Sequence, residues 1–433
     1  MKSVCLLFQI HQPFRHRRYR FFDIGADHYY YDDFTNDAVV SGIAAKSYLP
    51  ANQLLLKLAD KLGDKLKIAF SISGVAIDQF EMYAPEVIES FQQLAKTGCV
   101  EFLAETYSHS LVSLKNDAVF REQVKLHEEK IFSLFGQKPR VFRNTEMIYS
   151  DKVGEQVAEM GFTGMVTEGA KQVLGWKSSG FLYVNAINPR LKILMRNYKL
   201  SDDIAFRFSN KNWAEYPLTP GKYEKWLLNL PARDEVVNIF LSYEAFGVRH
   251  VVESGVFDFL EQLLVKIAAN PGLKLSTPTE IMQFLQPVSA VSVPNAISWA
   301  DEERDLTAWL GNEMQNEAFE KLYKLGAQML QCKNESLLRD WKYLQTSDHF
   351  FYMSTKVSTD GEVHKHFNPF GSPYDAFINY MNVLSDFELR LNQLAGSAGE
   401  NNLNALLAEK EEKIKALENK IIELQKAINA NNE

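Results

Sequence analysis

The chain has few cysteines, no long hydrophobic run and no excess of positive charge. Its 433 residues include three cysteines, too few for a disulfide framework and in no metal-binding spacing. No apolar stretch approaches the roughly 20 residues that span a bilayer. Lys and Arg number 47 against 55 Asp and Glu, which argues against nucleic acid, because such binding depends on neutralising phosphates. These absences predict a protein without disulfides, membrane segments or a nucleic-acid partner.

The signatures of several enzyme classes are absent as well. The chain contains no GxGxxG, GxxxxGK or GxSxG motif, which removes dinucleotide-binding, P-loop and serine-hydrolase interpretations. It also lacks the closely spaced histidines, such as HxxxH, that a metal-dependent deacetylase needs. The apolar run at residues 4–10 is too short for a secretion signal with a cleavage site, so we expect a cytoplasmic protein.

The chain does have the composition of a globular protein and an alternation of strand and helix patterns. Hydrophobic residues make up 46% and charged residues 24%. Over the first 285 residues, helical patterns alternate with strand candidates at 4–10, 67–73, 100–104, 141–142, 164–167, 193–195 and 237–243. Such alternation predicts an α/β fold with parallel strands joined by right-handed crossovers, in a barrel or a doubly wound sheet.

Ionisable residues follow several of these strands within a few positions. They are His11, Glu105, His109, Glu146, Asp202, Asp203 and Glu244. In a parallel barrel the carboxyl ends of the strands form one face, where active sites are built, so these side chains are expected to converge there. Taken singly, an acidic residue after a strand is more often a helix cap or an ion-pair partner.

Two carboxylates on either side of a glycosidic bond can hydrolyse it, one as nucleophile and the other as general acid and then base. The candidates are Glu146 in FRNTEMIYS and the pair Asp202 and Asp203 in KLSDDIAFRFS. Adjacent residues of a strand point to opposite sides, so at most one Asp would face the barrel mouth directly. In an irregular loop the pair could instead crowd together, and their repulsion would raise one pKa.

From about residue 286 the alternation stops, which predicts three domains: a barrel at 1–285, a helical domain at 286–395 and a C-terminal helix at 396–433. Apolar residues recur at heptad spacing between residues 403 and 428, with Ile mainly at a positions and Leu at d positions. That pattern favours a two-stranded parallel coiled coil, and hence a homo-oligomer. A single helix packed on its own chain is the alternative.

Five ordered motifs resemble glycoside hydrolase family 57, specifically its α-amylase-like branch: HQP at 11–13, ETYSHSL at 105–111, FRNTEMIYS at 142–150, LSDDIAFRFS at 200–209 and YEAFGVRH at 243–250. The helical region of that branch resembles segments 298–312, 345–353 and 367–388. The resemblance covers about residues 1–395. It implies an incomplete seven-stranded (β/α) barrel followed by a helical domain that completes the cleft.

The resemblance also implies roles for individual residues. Glu146 matches the catalytic nucleophile, Asp203 the general acid/base, and His11 a residue of the donor-sugar subsite. Substrate contact or support is implied at the other matched positions, Glu105, His109, Asp202, Glu244 and His250. Stacking on sugar rings, with core packing as an equal competitor, is expected of three tryptophans, Trp176, Trp299 and Trp309.

Members of the family act with retention on α-glucans such as starch, glycogen and malto-oligosaccharides, by hydrolysis or glucanotransfer, without an organic cofactor or required metal. We therefore expect a retaining α-glucan hydrolase whose partner is such a glucan. Two positions depart from the family pattern, Asp78 and Val248, where Glu is usual. The alternatives are a glucan-binding or assembly protein with little or no activity, a 4-α-glucanotransferase and a metal-dependent sugar deacetylase.

Overall fold

The computed structural model describes residues 1–356 and 368–394. The chain forms two compact units. The first contains residues 1–18 and 30–380, and the second contains residues 19–29 and the chain from residue 381. The predicted boundary between residues 285 and 286 falls inside the first unit. The predicted coiled coil at 403–428 lies outside the described residues, so both it and the homo-oligomer stay predictions.

The strands of the first unit include all seven that the sequence predicts. They are β1 (Lys2–Ile10), β2 (Ile68–Ile72), β3 (Val100–Phe102), β4 (Val141–Arg143), β5 (Gly164–Glu168), β6 (Leu182–Asn185), β7 (Lys192–Arg196), β8 (Val236–Ser242), β9 (Leu273–Leu275) and β10 (Ser289–Val291). The short strands β6, β9 and β10 were not predicted.

The strands form two sheets. One has the order β3-β2-β1-β8, with parallel neighbours, and β9 pairs with the start of β1. The other has the order β10-β6-β7-β5-β4, in which β6 runs antiparallel to β7. The fold is therefore α/β with mainly parallel pairing.

The two sheets approach each other at two places. Ala104, just after β3, forms a parallel bridge with Phe142 of β4. Asn197, just after β7, donates its backbone N–H to the carbonyl oxygen of Asn238 on β8 at 2.8 Å. The strand order β8-β1-β2-β3-β4-β5-β7 thus closes on β8. Five of the seven neighbouring pairs form full ladders, and the other two, β3–β4 and β7–β8, are joined by these shorter contacts. We interpret this as the incomplete seven-stranded barrel.

The strands at the centre of this arrangement are buried along almost their whole length. Every residue of β2 and β5 is buried, as parallel strands covered on both faces require. Phe8 on β1 has its ring 4.9 Å from Tyr243 and 5.7 Å from Phe70 between centroids. Part of the high aromatic content of the chain is therefore core packing rather than binding surface.

Helices follow most strands and cover the sheets. Up to residue 285 they are α1 (Asp33–Ile43), α2 (Leu49–Leu62), α3 (Gly74–Tyr83), α4 (Pro85–Lys96), α5 (Asp117–Phe135), α6 (Asp151–Glu159), α7 (Lys171–Leu174), α8 (Tyr198–Ala205), α9 (Pro220–Asn229), α10 (Val256–Ala269) and α11 (Pro278–Phe284). Many begin at a residue whose side chain accepts a backbone N–H of the first turn, such as Ser73, Asn116 and Asn197.

Beyond residue 300 the described chain is mostly helical, as the sequence predicts. It contains α12 (Thr307–Leu310), α13 (Glu313–Lys324), α14 (Gly326–Met329), α15 (Glu335–Leu344) and α16 (Ser347–Phe351), and residues 373–380 are helical as well. Among the described residues, every helix is too short or too polar to cross a lipid bilayer.

In the second unit, residues 381–394 are helical. Asp386 on this helix accepts the backbone N–H of Gly25 at 2.7 Å and lies 2.9 Å from Nδ1 of His28. These contacts join the two chain segments that make up the unit.

Candidate active site

A cavity opens at the carboxyl ends of β1, β4, β7 and β8. It encloses about 1160 Å³, counting space open to solvent. Its wall includes these ionisable or aromatic residues: His11, Glu146, Arg196, Asp202, Phe206, Glu244, Arg249, Trp299, Asp301, Trp309, Asp348 and Phe351. His11 and Phe351, 340 positions apart in the chain, thus share one cavity, where the parallel strands end.

Glu146 lies in a single turn, Thr145–Met147, directly after β4. Its φ is 54° and that of Met147 is 56°, so two successive residues adopt left-handed backbone conformations that side chains other than glycine disfavour. Such strain costs about 1–3 kcal/mol per residue and is concentrated at functional sites. The strained turn brings the Glu146 carboxylate to the cavity wall although only 4% of the residue is exposed.

Two side chains hold the two oxygens of the Glu146 carboxylate. Nε2 of His109 lies 3.3 Å from Oε1, and the indole Nε1–H of Trp299 donates to Oε2 at 2.5 Å. The backbone N–H of Trp299 also donates to the carbonyl oxygen of Glu146 at 3.2 Å. Bonds of this kind to a charged acceptor are about twice as strong as neutral ones and fix its direction.

His109 is completely buried between two carboxylates. Its Nδ1 lies 3.8 Å from Oε1 of Glu105, an ion-pair distance, and its Nε2 faces Glu146. Burial alone lowers the pKa of His109, but Glu105 and Glu146 outweigh it and raise the pKa to about 9. Burial likewise raises the pKa of Glu105, but His109 and Arg143 outweigh it and lower the pKa to about 2. His109 is therefore a cation at neutral pH, beside the Glu146 carboxylate.

Asp202 lies on α8, near the end of β7. Its Oδ1 accepts a hydrogen bond from Nη2 of Arg196, and its Oδ2 lies 3.5 Å from Nη2 of Arg304. Nη1 of Arg304 in turn donates to the carbonyl oxygen of Trp299. The loop at residues 298–305, which we name the clamp loop, therefore contacts both Glu146 and Asp202.

Asp203 does not share this position. The described cavity wall contains Asp202 but not Asp203, whose carboxylate accepts from Nη1 of Arg207 at 2.6 Å. Burial raises the pKa of Asp203, while Arg207 lowers it. The assignment of Asp203 as the catalytic acid stays a prediction of the resemblance. On the helix α8 successive side chains point about 100° apart, so the two neighbouring carboxylates have different surroundings. The cavity receives the first Asp of the pair.

His11 joins the start of the barrel to the helical region. Its Nε2 lies 2.9 Å from Oδ2 of Asp348 on α16, and its Nδ1 lies 2.7 Å from Oγ of Ser73. Burial and the charge of His109, stacked on it at 3.9 Å, lower the pKa of His11. These partners fit a neutral imidazole that donates from Nε2 to Asp348 and accepts from Ser73.

Glu244 and His250, expected as substrate contacts or supports, lie in different places. Glu244 is part of the cavity wall and accepts hydrogen bonds from the hydroxyls of Tyr48 and Ser242, and burial raises its pKa. His250 lies behind the described wall, with Nε2 2.8 Å from the carbonyl oxygen of Ile204 on α8. Because α8 carries Asp202, His250 supports the site from outside the cavity.

The three tryptophan candidates differ. Trp299 and Trp309 both belong to the cavity wall, whereas Trp176 is 86% exposed and lies outside it. Trp309 is buried, and its indole N–H has no hydrogen-bond partner among the described residues. A buried donor without a partner at a cavity is suited to a polar ligand.

The two departures from the family pattern lie away from the described wall. Oδ1 of Asp78 accepts the hydroxyl of Tyr107 at 2.5 Å, and Val248 packs against the hydrophobic core. The turn before Val248 depends on Gly247, which has a φ of 97° and where a Cβ would collide with the carbonyl of Lys46. Arg249, next in the chain, lines the cavity with its guanidinium 4.5 Å from the ring centroid of Phe206.

The sequence interpretation missed several residues of the site, mainly Arg196, Arg304 and Asp348. Arg196 directly follows the predicted strand at 193–195 and is the last residue of β7. The search for acids and histidines after strands would have found it if arginines had been included. Arg304 and Asp348 lie beyond the predicted barrel boundary at residue 285, in segments already quoted for their resemblance. Only the folded chain shows which of their side chains reach the cavity. Among the described residues, no three His, Cys, Asp or Glu side chains are grouped to hold a metal ion.

Comparison with known sequences points to one family. The family model described as Glycosyl hydrolase family 57 matches residues 5–294. A protein of Methanocaldococcus jannaschii with the name "Putative alpha-amylase" is 40% identical over 401 residues, which cover 89% of this chain and 84% of that protein. "Alpha-amylase 1" of Dictyoglomus thermophilum is 24% identical over 339 residues, covering 74% of this chain. The chain matches about half of that longer protein, 46%.

Solved structures share the fold. A 4-alpha-glucanotransferase from Thermococcus litoralis superposes with a TM-score of 0.65 at 14% identity, over 88% of this chain and 59% of that one. A GH57 branching enzyme from Thermococcus kodakaraensis gives 0.64 at 14% identity, over 90% of each chain. The family match begins in β1 and continues past β10, so it includes all the strands and both Glu146 and Asp202. With the 40% identity to the archaeal relative, it shows that the chain belongs to glycosyl hydrolase family 57.

Proposed function

We propose that this protein is a retaining glycoside hydrolase that acts on α-glucans, with Glu146 as nucleophile and Asp202 as general acid/base. The observation that carries the proposal is the placement of both carboxylates on one cavity wall, joined by the clamp loop: Trp299 holds Glu146 and Arg304 contacts Asp202. A paired nucleophile and acid/base flanking one cavity is what retaining hydrolysis of a glycoside requires.

The first half of the reaction forms a covalent intermediate. Glu146 attacks the anomeric carbon of the bound sugar while Asp202 gives its proton to the departing glycosidic oxygen. The His109 cation keeps Glu146 ionised, and the Trp299 hydrogen bond directs it. In the second half, Asp202 removes a proton from water, whose oxygen attacks the same carbon and releases Glu146. The two inversions together retain the α configuration.

The remaining wall is suited to a sugar. His11, Asp348 and Glu244 present nitrogen or carboxylate groups that can bind hydroxyls, and the Trp309 indole N–H is a donor without a partner among the described residues. Trp299, Phe351 and Phe206 add the aromatic surface on which the apolar faces of pyranose rings pack. The amylase names of the sequence relatives support an α-glucan as the substrate.

The experiment is a product profile on maltoheptaose with purified full-length protein. We expect shorter malto-oligosaccharides, released as α anomers by NMR, if water is the acceptor. Longer as well as shorter products would instead indicate a glucanotransferase. Glu146→Gln and Asp202→Asn should each lower kcat/KM by roughly 10²–10⁴ or more.

Asp203→Asn is the matched control, because it makes the same chemical change one residue along α8. We expect it to keep activity within about threefold of the native protein. A larger loss for Asp203→Asn than for Asp202→Asn would return the acid/base role to Asp203. A native protein that binds amylopectin but forms no products, like Glu146→Gln, would be a glucan-binding module and not an enzyme.

A further inference from the structure

Glu168 is a buried carboxylate that the proposed reaction does not use. It is the last residue of β5, its side chain is completely inaccessible, and it was not singled out in the sequence. Oε2 accepts from Nη1 of Arg196 at 3.0 Å, and Oε1 has no hydrogen-bond partner among the described residues. A buried, half-satisfied carboxylate is costly, which suggests that its position has a use.

Arg196 connects Glu168 to Asp202. Its Nη1 binds Glu168 and its Nη2 binds Asp202, while its Nε donates to the carbonyl oxygen of Phe240 on β8 at 2.7 Å. Burial works against the guanidinium charge, but Asp202 and Glu168 outweigh it and raise the pKa of Arg196. Its carbon Cζ also lies 5.6 Å from the ring centroid of Trp299. The guanidinium is thus fixed in place between two carboxylates.

The surroundings of Asp202 present a problem for a general acid, which must hold a proton before it reacts. Arg196 from β7 and Arg304 from the clamp loop both face Asp202, and cations favour the ionised carboxylate. In many such sites the nucleophile's negative charge offsets this preference, but here the His109 cation neutralises much of the charge of Glu146. Asp203 on the same helix adds negative charge, yet its own partner is Arg207.

We propose that Glu168 is a positioning residue for the acid/base: by sharing Arg196 with Asp202, it offsets the guanidinium charge and lets Asp202 carry the proton that the departing sugar needs. This inference rests on the proposed function. Burial raises the pKa of Glu168, Arg196 and Arg304 lower it, and the charge of Asp202 raises it again, so Glu168 senses both Arg196 and the carboxylate that shares it.

The test uses Glu168→Gln in the full chain, with two substrates. Gln has the same shape and still accepts from Arg196, but it carries no charge. For maltoheptaose, whose leaving group needs a proton, the basic limb of the kcat/KM profile should move down by about one pH unit, as a neighbouring charge typically shifts such groups by 1–3 units. For α-maltosyl fluoride, whose fluoride leaves with little acid assistance, the profile should stay in place.

Glu101→Gln is the matched control, because Glu101 is a largely buried carboxylate on β3 that binds Thr279 outside the described cavity wall. We expect its profile to match the native one. Glu168→Asp keeps the charge one methylene farther from Arg196, so we expect a smaller downward shift of the basic limb. This variant replaces Glu168→Gln in the test if Glu168→Gln does not fold. Circular dichroism and thermal melting check the fold of each protein.

The outcomes separate the two levels of inference. A native protein inactive on both substrates would contradict the proposed function, whatever Glu168 does. A native protein that is active, with an unshifted basic limb in folded Glu168→Gln or Glu168→Asp, would overturn the role of Glu168. So would an equal shift with α-maltosyl fluoride or in Glu101→Gln, because neither involves protonation of the leaving group through Asp202.

Discussion

The surroundings of Glu146 and those of Asp202 differ in how charge is arranged. Glu146 faces one buried cation, His109, which is itself held by Glu105, and all three are fully or almost fully buried. Asp202 faces two guanidiniums, one of them shared with Glu168, and its side chain is 12% exposed, beside Arg304 at 14%. In the proposed reaction the nucleophile needs one fixed state of charge, whereas the acid/base must gain and lose a proton in every cycle.

This difference matches the two chemical tasks. A closed ion pair with short, directed hydrogen bonds stabilises a permanent carboxylate. A network of two acids and two guanidiniums, partly open to solvent, allows the number of bound protons to change, because the charge of each group partly offsets the charge of its neighbour. Variants that change one cation or one donor on each side should therefore have unequal effects.

We call the surroundings of Glu146 the closed side and those of Asp202 the open side. The largest expected effect comes from removing His109, the cation on the closed side. His109→Gln leaves Glu105 and Glu146 buried without their shared partner, and breaking a buried ion pair costs about 3–5 kcal/mol. We expect a loss of stability of that size in chemical denaturation, together with a fall of about 100-fold or more in kcat/KM for maltoheptaose, since Glu146 is no longer held.

His16→Gln is the control, because His16 is also a buried imidazole of the same unit, stacked on His349 at 4.2 Å and kept neutral by burial, which lowers its pKa. Its substitution changes shape but removes no charge, so kcat/KM should change little. Equal loss of activity in the two variants would mean that packing, and not the charge of His109, supports Glu146.

The same ion pair predicts how stability depends on pH. The folded pKa of His109, about 9, lies above the ordinary value of 6.5, so its contribution is complete below about pH 6.5 and is lost as pH rises through 9. Glu105, with a folded pKa of about 2, contributes above about pH 4.5 and loses its contribution as pH falls through 2. Stability from this pair is therefore greatest between about pH 4.5 and 6.5.

On the alkaline side the loss should reach roughly 3 kcal/mol, since each pKa unit corresponds to about 1.4 kcal/mol. Denaturant midpoints between pH 6 and 10 measure it, and the difference between the native protein and His109→Gln isolates it from other titrations. If that difference stays constant across the range, His109 does not change charge there and the closed ion pair does not have the strength proposed.

The sequence predicts the closed side much better than the open one. Glu105, His109 and Glu146 follow predicted strands within a few positions, and the ends of parallel strands meet at one face whatever the loops do. Their convergence therefore follows from secondary structure alone. The strand pattern does not predict the left-handed backbone conformation of Glu146, whose φ is positive.

The open side depends on tertiary packing. The resemblance points to Asp203, whereas the cavity wall contains Asp202, and a helix of eight residues with two adjacent acids gives no local signal for which one faces the cavity. The clamp loop comes from beyond the predicted domain boundary, with positive φ at Asp301 and Arg304 that no propensity anticipates. Within the loop, the Ser298 N–H donates to the carbonyl oxygen of Arg304 and the Ser298 hydroxyl donates to that of Asp305.

A smaller effect is expected from the clamp loop's contact with the closed side. Trp299→Phe keeps an aromatic ring but removes the donor to Glu146, and a hydrogen bond to a charged group contributes about 1.5–3 kcal/mol. We expect kcat/KM to fall by roughly 10- to 100-fold, mainly through kcat.

Trp309→Phe is the control. It removes a donor without a partner among the described residues, so it should raise KM a few fold and leave kcat unchanged. Matching losses in kcat for both variants would contradict a specific role for the Trp299 bond.

The smallest expected effect comes from removing a cation on the open side. Arg304→Gln breaks a contact of 3.5 Å in which both side chains are partly exposed, and pairs of this kind contribute about 1 kcal/mol or less. We expect kcat/KM for maltoheptaose to fall no more than about fivefold. Because one cation near Asp202 is lost, the basic limb of the pH profile should move up, opposite in direction to the shift expected for Glu168→Gln.

Arg207→Gln is the control, because it removes the arginine that pairs with Asp203, one residue along α8. It should leave the basic limb of the pH profile in place. If Arg304→Gln instead lost as much activity as His109→Gln, Asp202 would be held as rigidly as Glu146, and the contrast between the two sides would not explain their different tasks.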